Sequence, residues 1–443
     1  MANVVTSSQG AKNLGGSGVL YTDRRDFYIK PNVVKELWTD VTPFTTVIAN
    51  QNTISGMSDP TFKMFEHRNP WQKQQFQLAG NPASVASGAE LGTAVDINGA
   101  VGIELGSNLE GLICDVFADN GSDAPTGDSV GKVLITVVDT SASPVEIKYK
   151  NISDDAYDGN DNDHFLIVGS AMGEGTNSPE AWSDDLSVVY NSTQIFKTPL
   201  QITGTLLEAS LRGESKELAR LRTMKSQEHK IQKERSFLFG SNPKGISGGF
   251  SDLEAVADKN GKAVRTTTGI ITALKEYGDS SATSDAQNVF ASANIDTYGE
   301  FVDAMEKVFQ YVPTSGVKKA FVGAGALGYW SKQGSGTTSS WAKDSGWTVN
   351  LGDMKRDTLG FNYRMLETPH GMLQLIPTPA LRGPYNKHML IVDSENLFHA
   401  QYRAPQFQAS IQANDYDGVK DQYMSDEGIG ISLLESHALM VTP

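Results

Sequence analysis

The densest formal signature of chemistry in this 443-residue chain is GAGALG at Gly323–Gly328. It is a G-x-G-x-x-G run, preceded by a predicted strand, VKKAFVGA (317–324), and followed by a predicted helix, ALGYWSKQ (326–333). Glycines so spaced let a backbone turn approach a pyrophosphate and aim a helix N-terminus at it. A dinucleotide site then adds an Asp or Glu about 20 residues on to hold the ribose. Asp344 and Asp353 straddle that spacing, but the intervening GSGTTSSWAKDSGW is a polar loop lacking the second strand of such a unit. The run therefore reads as a tight turn between strand and helix. GISGG at Gly245–Gly249 frames Ser247 as a formal G-x-S-x-G nucleophile. That elbow needs a strand before the serine, whereas a helix end and Pro243 precede this one.

Metal chemistry is best served by DDAYDGNDND (154–163). Asp154, Asp158 and Gly159 fall at three positions of a calcium loop, but Ala156 and Phe165 occupy two ligand positions. An acidic surface turn and a weak calcium site both stay open. The seven histidines (67, 164, 229, 370, 388, 399 and 437) show no paired ligand spacing, and Cys114 stands alone, so no zinc cluster or intrachain disulfide is expected. No Walker A sequence exists, and NIS (151–153) and NST (191–193) carry no meaning without a secretory route. The reading assigns no catalytic, cofactor-binding or metal residue and no cofactor. The chain is not expected to be an enzyme.

What must the elements do instead? Hydrophobic residues make up 39% and charged residues 20%, which describes a folded chain, and the length suggests two or three units. No run of 18 apolar residues is present, so no membrane span is expected, and MANVVTSSQG lacks the pattern of a signal peptide. The formal charge of −15 is concentrated. Residues 81–190 hold 19 acids against 3 lysines, a net of −16, leaving 34 basic against 33 acidic residues elsewhere. Such a shift marks a separate module. Within it GKVLITVV (131–138), VEIKYKNI (145–152) and HFLIVG (164–169) read as strands parted by turn residues, so a small antiparallel sheet or barrel is expected.

Extended segments flank that module. Pro31 and Pro43 interrupt any helix across the first 50 residues, leaving an arm with a short helical piece near Val33–Trp38. In residues 60–80 the alternation of Phe62, Met64 and Glu66 with Lys63, Phe65 and His67 predicts a half-covered strand, and 187–209 reads as its return. A long helix is expected over 207–240, ending at Gly240 with Lys233 and Arg235 in its last turns. Leu211 and Leu218 lie on one side of it, and Met224, Ile231 and Leu238 about 140° round. Either it meets different neighbours at its two ends, or it is a partly exposed bridging helix. Thr297 and Glu300 have capping-box spacing before the stripe Phe301, Met305, Val308 and Val312. Residues 363–377 read as a hairpin, 388–404 as a second strand pair, and 428–441 as a closing strand. The fold class is α+β.

This order of elements resembles the major capsid proteins of tailed phages, which share the Hong Kong 97 capsid fold. The resemblance rests on YIKPNVVKELWTDVTPFTTVI as the arm and on FKMFEHRNPWQKQQF with VVYNSTQIFKTPLQI as the extended loop. ELARLRTMKSQEHKIQKERSFLFG resembles the spine helix, VKKAFVGAGALGYW a strand–turn–helix of the axial domain, and DYDGVKDQYMSDEGIGISLLESHALMV the C-terminal region. The implied division is an N-terminal arm (1–50), extended-loop strands (51–80 and 187–206) and an acidic β-rich insertion domain (81–186). A peripheral domain with the spine helix (207–260), an axial domain (261–386) and C-terminal strands (387–443) follow.

The function implied is a major capsid protein that self-assembles into hexamers and pentamers, forming an icosahedral head shell around packaged double-stranded DNA. Its expected partners are copies of itself, with scaffolding, portal and decoration proteins as further candidates, DNA contacted non-specifically, and no membrane. It would be made in the host bacterial cytoplasm and reside in the virion. The alternatives are another virion structural or adhesion protein, of tail or decoration type, and, further off, an NAD-dependent enzyme. The acidic module is expected on the outer surface of the shell, with burial in the shell wall as the rival placement.

Overall fold

The computed structural model describes residues 42–67, 75–101, 105–119, 125–175, 186–209, 217–242, 257–281, 286–295, 297–311, 316–334, 352–357, 359 and 361–443. The piece expected near Val33–Trp38, Asp344, Ser247 and most of the 334–347 loop lie outside these residues.

Pro43 begins helix α1 (Pro43–Gln51), where its fixed φ and missing N–H suit a first turn. Phe44, Val47 and Ile48 bury one face of that helix. A three-residue strand β1 (Thr53–Ser55) leads to β2 (Thr61–Glu66), in which Phe62, Met64 and Glu66 are buried and the alternate residues are not. The chain then builds a closed barrel from β3 (Gln75–Ala79), β4 (Val95–Val101), β5 (Leu112–Asp119), β6 (Pro125–Asp139), β7 (Glu146–Asn151) and β8 (His164–Ser170). Around the barrel the order is β3-β4-β7-β6-β5-β8. Phe76, Leu78, Cys114, Val116, Tyr149 and Phe165 fill its interior at alternate strand positions. Phe76 and Leu78, expected in the extended segment, thus belong to a barrel stave, and the barrel begins before residue 81. Gly, Asn and Asp dilute the apolar positions of β4, whereas β5, LICDVFAD, carries an apolar pattern that the sequence reading did not single out.

β9 (Ser187–Ser192) returns antiparallel to β2, from Thr61↔Ser192 to Glu66↔Ser187. β10 (Gln194–Thr203) then enters another sheet, so the returning segment is two strands with separate partners. The long helix is likewise split. α2 (Gly204–Glu208) ends at Ala209, whose φ −70°, ψ 132° is extended, and α3 runs from Glu217 to Phe239. At 1.5 Å per residue α3 is about 35 Å long. Gly240 ends it as expected, its N–H donating to the Ser236 carbonyl at 2.8 Å. A Cβ on Gly240 would meet that carbonyl oxygen at 2.4 Å, which is why glycine stands there.

The remainder comprises α4 (Ile270–Tyr277), β11 (Val289–Phe290), α5 (Tyr298–Val308), β12 (Val317–Val322), α6 (Ala324–Gly334), β13 (Lys355–Arg356), β14 (Asn362–Thr368) and β15 (Gly371–Pro377). Four strands follow: β16 (His388–Val392), β17 (Leu397–Gln408), β18 (Gly418–Ile431) and β19 (Ala438–Val441). The Thr297–Glu300 capping box is formed, and β14 and β15 make the expected hairpin. β16 and β17 do not pair with each other. The Asp393 carboxylate accepts from Glu395 N and Asn396 Nδ2, both at 3.0 Å, and that turn sends the two strands to different sheets. The closing strand is also two strands, parted by Leu433 in the left-handed region (φ 47°) and a 3-10 turn at Leu434–Ser436.

One sheet has the order β11-β19-β16-β12-β15-β14-β13, the other β1-β17-β18-β10. In β16 Leu390 and Val392 face a core shared with α1, α3 and α4, while Met389 and Ile391 face a second core under α5 and α6. A strand covered on both faces reads as the unbroken run HMLIV. The first core continues through Phe196, Phe237 and Ile429 into the four-stranded sheet. The barrel's core shares no residue with either.

Candidate assembly site: a charged seam and a two-stranded stem

The helix α3 buries His229, Lys233, Glu234, Phe237 and Leu238. Its inward face is thus largely polar, and Met224 and Ile231, on which an apolar face was expected, are only half-buried. The reason lies in β18, whose Asp421, Ser425, Asp426 and Glu427 are all 0% exposed. On the side facing α3, Arg222 Nε donates to Asp421 Oδ2 at 2.8 Å, and Ser410 N donates to Asp421 Oδ1 at 2.8 Å. Lys233 Nζ lies 3.0 Å from Glu427 Oε2, and His399 Nε2 3.2 Å from the same oxygen. Asp426, on the opposite face of the strand, takes Arg265 at 3.3 Å and Arg403 at 3.2 Å. Lys233, expected to serve the end of the helix dipole, is turned sideways into this seam.

Buried charges persist only when paired and hydrogen-bonded. Burial raises the Glu427 pKa, but the His399 hydrogen bond and the Lys233 charge outweigh it, so the carboxylate is held below its ordinary value. Burial and Lys233 push His229 down against the pull of Glu427. The neutral imidazole sits 3.0 Å from both Thr198 Oγ1 and Ser425 Oγ. Thr198 gives its one proton to Gln232 Oε1 at 3.2 Å, so the network assigns the proton of His229 to Nδ1. Burial pushes Glu234 up to about 8, against the pull of Thr45, whose N–H donates to it at 3.4 Å.

The stem formed by β2 and β9 rests on the other face of β18. Phe62 and Met64 pack with Ala400 at its base, and Glu66 Oε1 accepts the Leu433 N–H at 2.7 Å. Outward it presents Phe65, 73% exposed, near Leu186, 58% exposed. Large apolar side chains that stay in water are cheaper to cover with another molecule than to solvate.

The glycine run has a local explanation. Gly323 and Gly325 lie against Asn386, whose Oδ1 accepts the Gly325 N–H at 2.9 Å and whose carbonyl accepts the Ala326 N–H at 3.1 Å. A Cβ at Gly323 would lie 2.2 Å from that carbonyl oxygen. The helix N-terminus that a pyrophosphate would need is occupied by the chain itself. In the acidic turn, Asp163 is buried and accepts from Tyr157 Oη at 2.6 Å and Asn160 N at 2.9 Å, and Asp161 accepts from Gly80 N at 2.7 Å. These two carboxylates tie the loop to the barrel. Among the described residues no group of three His, Cys, Asp or Glu is placed to hold a metal. Nor is any described helix long and apolar enough to cross a membrane. Cys114 is enclosed in the barrel, and burial pushes its thiol up to about 12.

Sequence reading missed Asp421, Asp426, Glu427 and their cations because charged residues on a helix and a strand look like solvated faces. The available signal was DQYMSDEGIGI itself, three acids running directly into a buried apolar strand end.

A body of two sheets, a two-stranded stem with exposed apolar side chains and a barrel with its own core together suit a building block that other copies cover. The chain belongs to the SU10 major capsid protein family, whose sequence pattern matches residues 26–440. It is therefore a major capsid protein, and its observed architecture is α+β as expected. Among solved structures it is similar to the capsid of a native GTA particle (TM-score 0.43, 9% identity, covering 97% of this chain and 99% of that one). It is also similar to a chain of Microbacterium phage Oxtober96 (TM-score 0.39, 12% identity, 96% and 97% covered). A third likeness is to the holo-SrpI encapsulin complex of Synechococcus elongatus PCC 7942 (TM-score 0.35, 7% identity, 60% and 76% covered). No curated protein matches the chain.

Proposed function

We propose that this subunit forms hexamers and pentamers that close into an icosahedral shell around double-stranded DNA, and that its role is purely structural, without catalysis. The family match over residues 26–440 carries the reading. The exposed stem supports it, since a ring or shell covers such a surface with a neighbouring copy through head-to-tail contacts. The division into arm, extended loop, insertion domain, peripheral domain and axial domain is part of the same proposal, with the insertion domain starting at β3. Synthesis takes place in the host cytoplasm, and scaffolding, portal and decoration proteins are the further partners.

The barrel belongs on the outer surface. Residues 81–190 carry 19 acids against 3 lysines, whereas packaged duplex carries one negative charge per about 1.7 Å. An acidic module facing that interior would be repelled, and carboxylates buried in the wall would need partners. The residues 208–240, with 8 basic and 5 acidic side chains, suit the inner and lateral surfaces. Electron microscopy of the purified chain is the test of assembly: rings, tubes or shells are expected, and a stable monomer at high concentration would sink the reading. Placement is tested by labelling DNA-filled particles with a reagent that cannot enter them. Acidic turns such as that at Asp158 should react as fully there as in dissociated subunits.

A further inference from the structure

Ring-forming subunits need two different surfaces that fit each other, one on each flank. The seven-stranded sheet ends in β11 on one side and β13 on the other. Beside β11 a groove of about 760 Å³ runs along α5, floored by Phe290 and Phe309 and edged by Glu300, Asp303, Glu306 and Lys307. Asp303 and Glu306 are exposed, while Glu300 is engaged in the helix cap. The opposite edge carries Lys355 and Arg356, both exposed, next to Met354, which is 57% exposed. Arg364 follows on the adjoining strand. The nearby acids are Asp353, which is exposed, and Asp357, whose charge is countered by Lys319. The groove is thus net acidic with an apolar floor, and the far edge net basic with an apolar side chain.

We propose that the α5 groove of each subunit receives the β13 edge of the next copy in the ring, Met354 entering over the apolar floor while Lys355 and Arg356 meet Asp303 and Glu306. This rests on the shell-forming reading and names the two surfaces that would serve it. The contact is heterologous, so it closes five- and six-membered rings alike.

Charge reversal tests it with full-length chains. D303K/E306K and K355E/R356E place like charges at the contact, and each should lower ring formation more than about tenfold. All four changed positions are exposed, so circular dichroism and thermal unfolding should match wild type. The quadruple variant restores opposite charges and should assemble again. Mixing the two double variants is the sharper test. Every favourable contact then joins unlike chains, so only even-membered rings can close, giving hexamers and tubes but neither pentamers nor closed shells. Either double variant assembling like wild type would overturn the proposal, as would a mixture yielding pentamers or no rings. A wild-type chain that never assembles would instead bring down the shell-forming reading itself.

Discussion

Glu427, in the helix–sheet seam, and Glu234, which α3 buries against α1, should respond to pH in opposite ways. Glu427 is held below its ordinary value, so its contribution to stability is present above about 4.5 and lost as pH falls through the lowered value. Glu234 is raised from 4.5 to about 8. The unfolded chain releases that proton first, so Glu234 makes the fold less stable as pH rises from about 4.5 to about 8. Glu234→Gln should remove that slope and stabilise the subunit at pH 8 by about 3–5 kcal/mol, leaving pH 4 stability unchanged. Thermal midpoints at the two pH values decide it, and an equal shift at both would contradict the assignment. Lys233→Met leaves Glu427 with His399 alone and should cost about 3–5 kcal/mol. Adding Glu427→Gln should recover much of that loss, because the penalty is the orphaned charge rather than the missing pair. Urea titration of the single and double variants measures the difference.

At the scale of elements, two glycines of one motif should behave oppositely. Gly323→Ala drives a methyl into the Asn386 carbonyl at 2.2 Å and should cost about 1–3 kcal/mol. Gly328 sits inside α6 with open space around its missing Cβ, so Gly328→Ala should stabilise by up to about 1 kcal/mol. If both changes destabilised alike, the turn would not be set by that close approach. Elements with a strong local pattern were legible in the sequence: α5 with its capping box, the β14–β15 hairpin, the Gly240 stop and the alternation of β2. What was not legible is tertiary. Only the three-dimensional arrangement tells that Lys233 and Glu234 point inward. Asp393 and Leu433 likewise gave no local warning that they redirect the chain between sheets, so β16 with β17, and 428–441, read as simpler units than they are. Three of the barrel's six strands were visible in the sequence, β6 and β8 by apolar runs and β7 by the alternation EIKYKN, while β3 read as part of the extended segment.

At the scale of the molecule, the barrel should be separable. Its sixteen buried core residues belong to no other core, and it is joined to the body through β2 and β9, whose ends pair as Glu66↔Ser187. Replacing residues 67–186 by an Asn-Gly turn, which suits a two-residue hairpin, should leave a body that unfolds in one cooperative transition. Loss of that transition would show that the barrel is needed for the body to fold.

The position of β19 in its sheet also bears on timing during synthesis. It lies between β11 and β16, with Leu439 opposite both Val289 and Leu390. β18, only a few residues earlier in the chain, joins β10 to β17. Both sheets are therefore incomplete until residues 418–441 have left the ribosome, since emergence proceeds from the N-terminus at about 5–20 residues per second. Nascent chains in which β18 and β19 have not yet emerged would present unfinished sheets rather than finished docking edges.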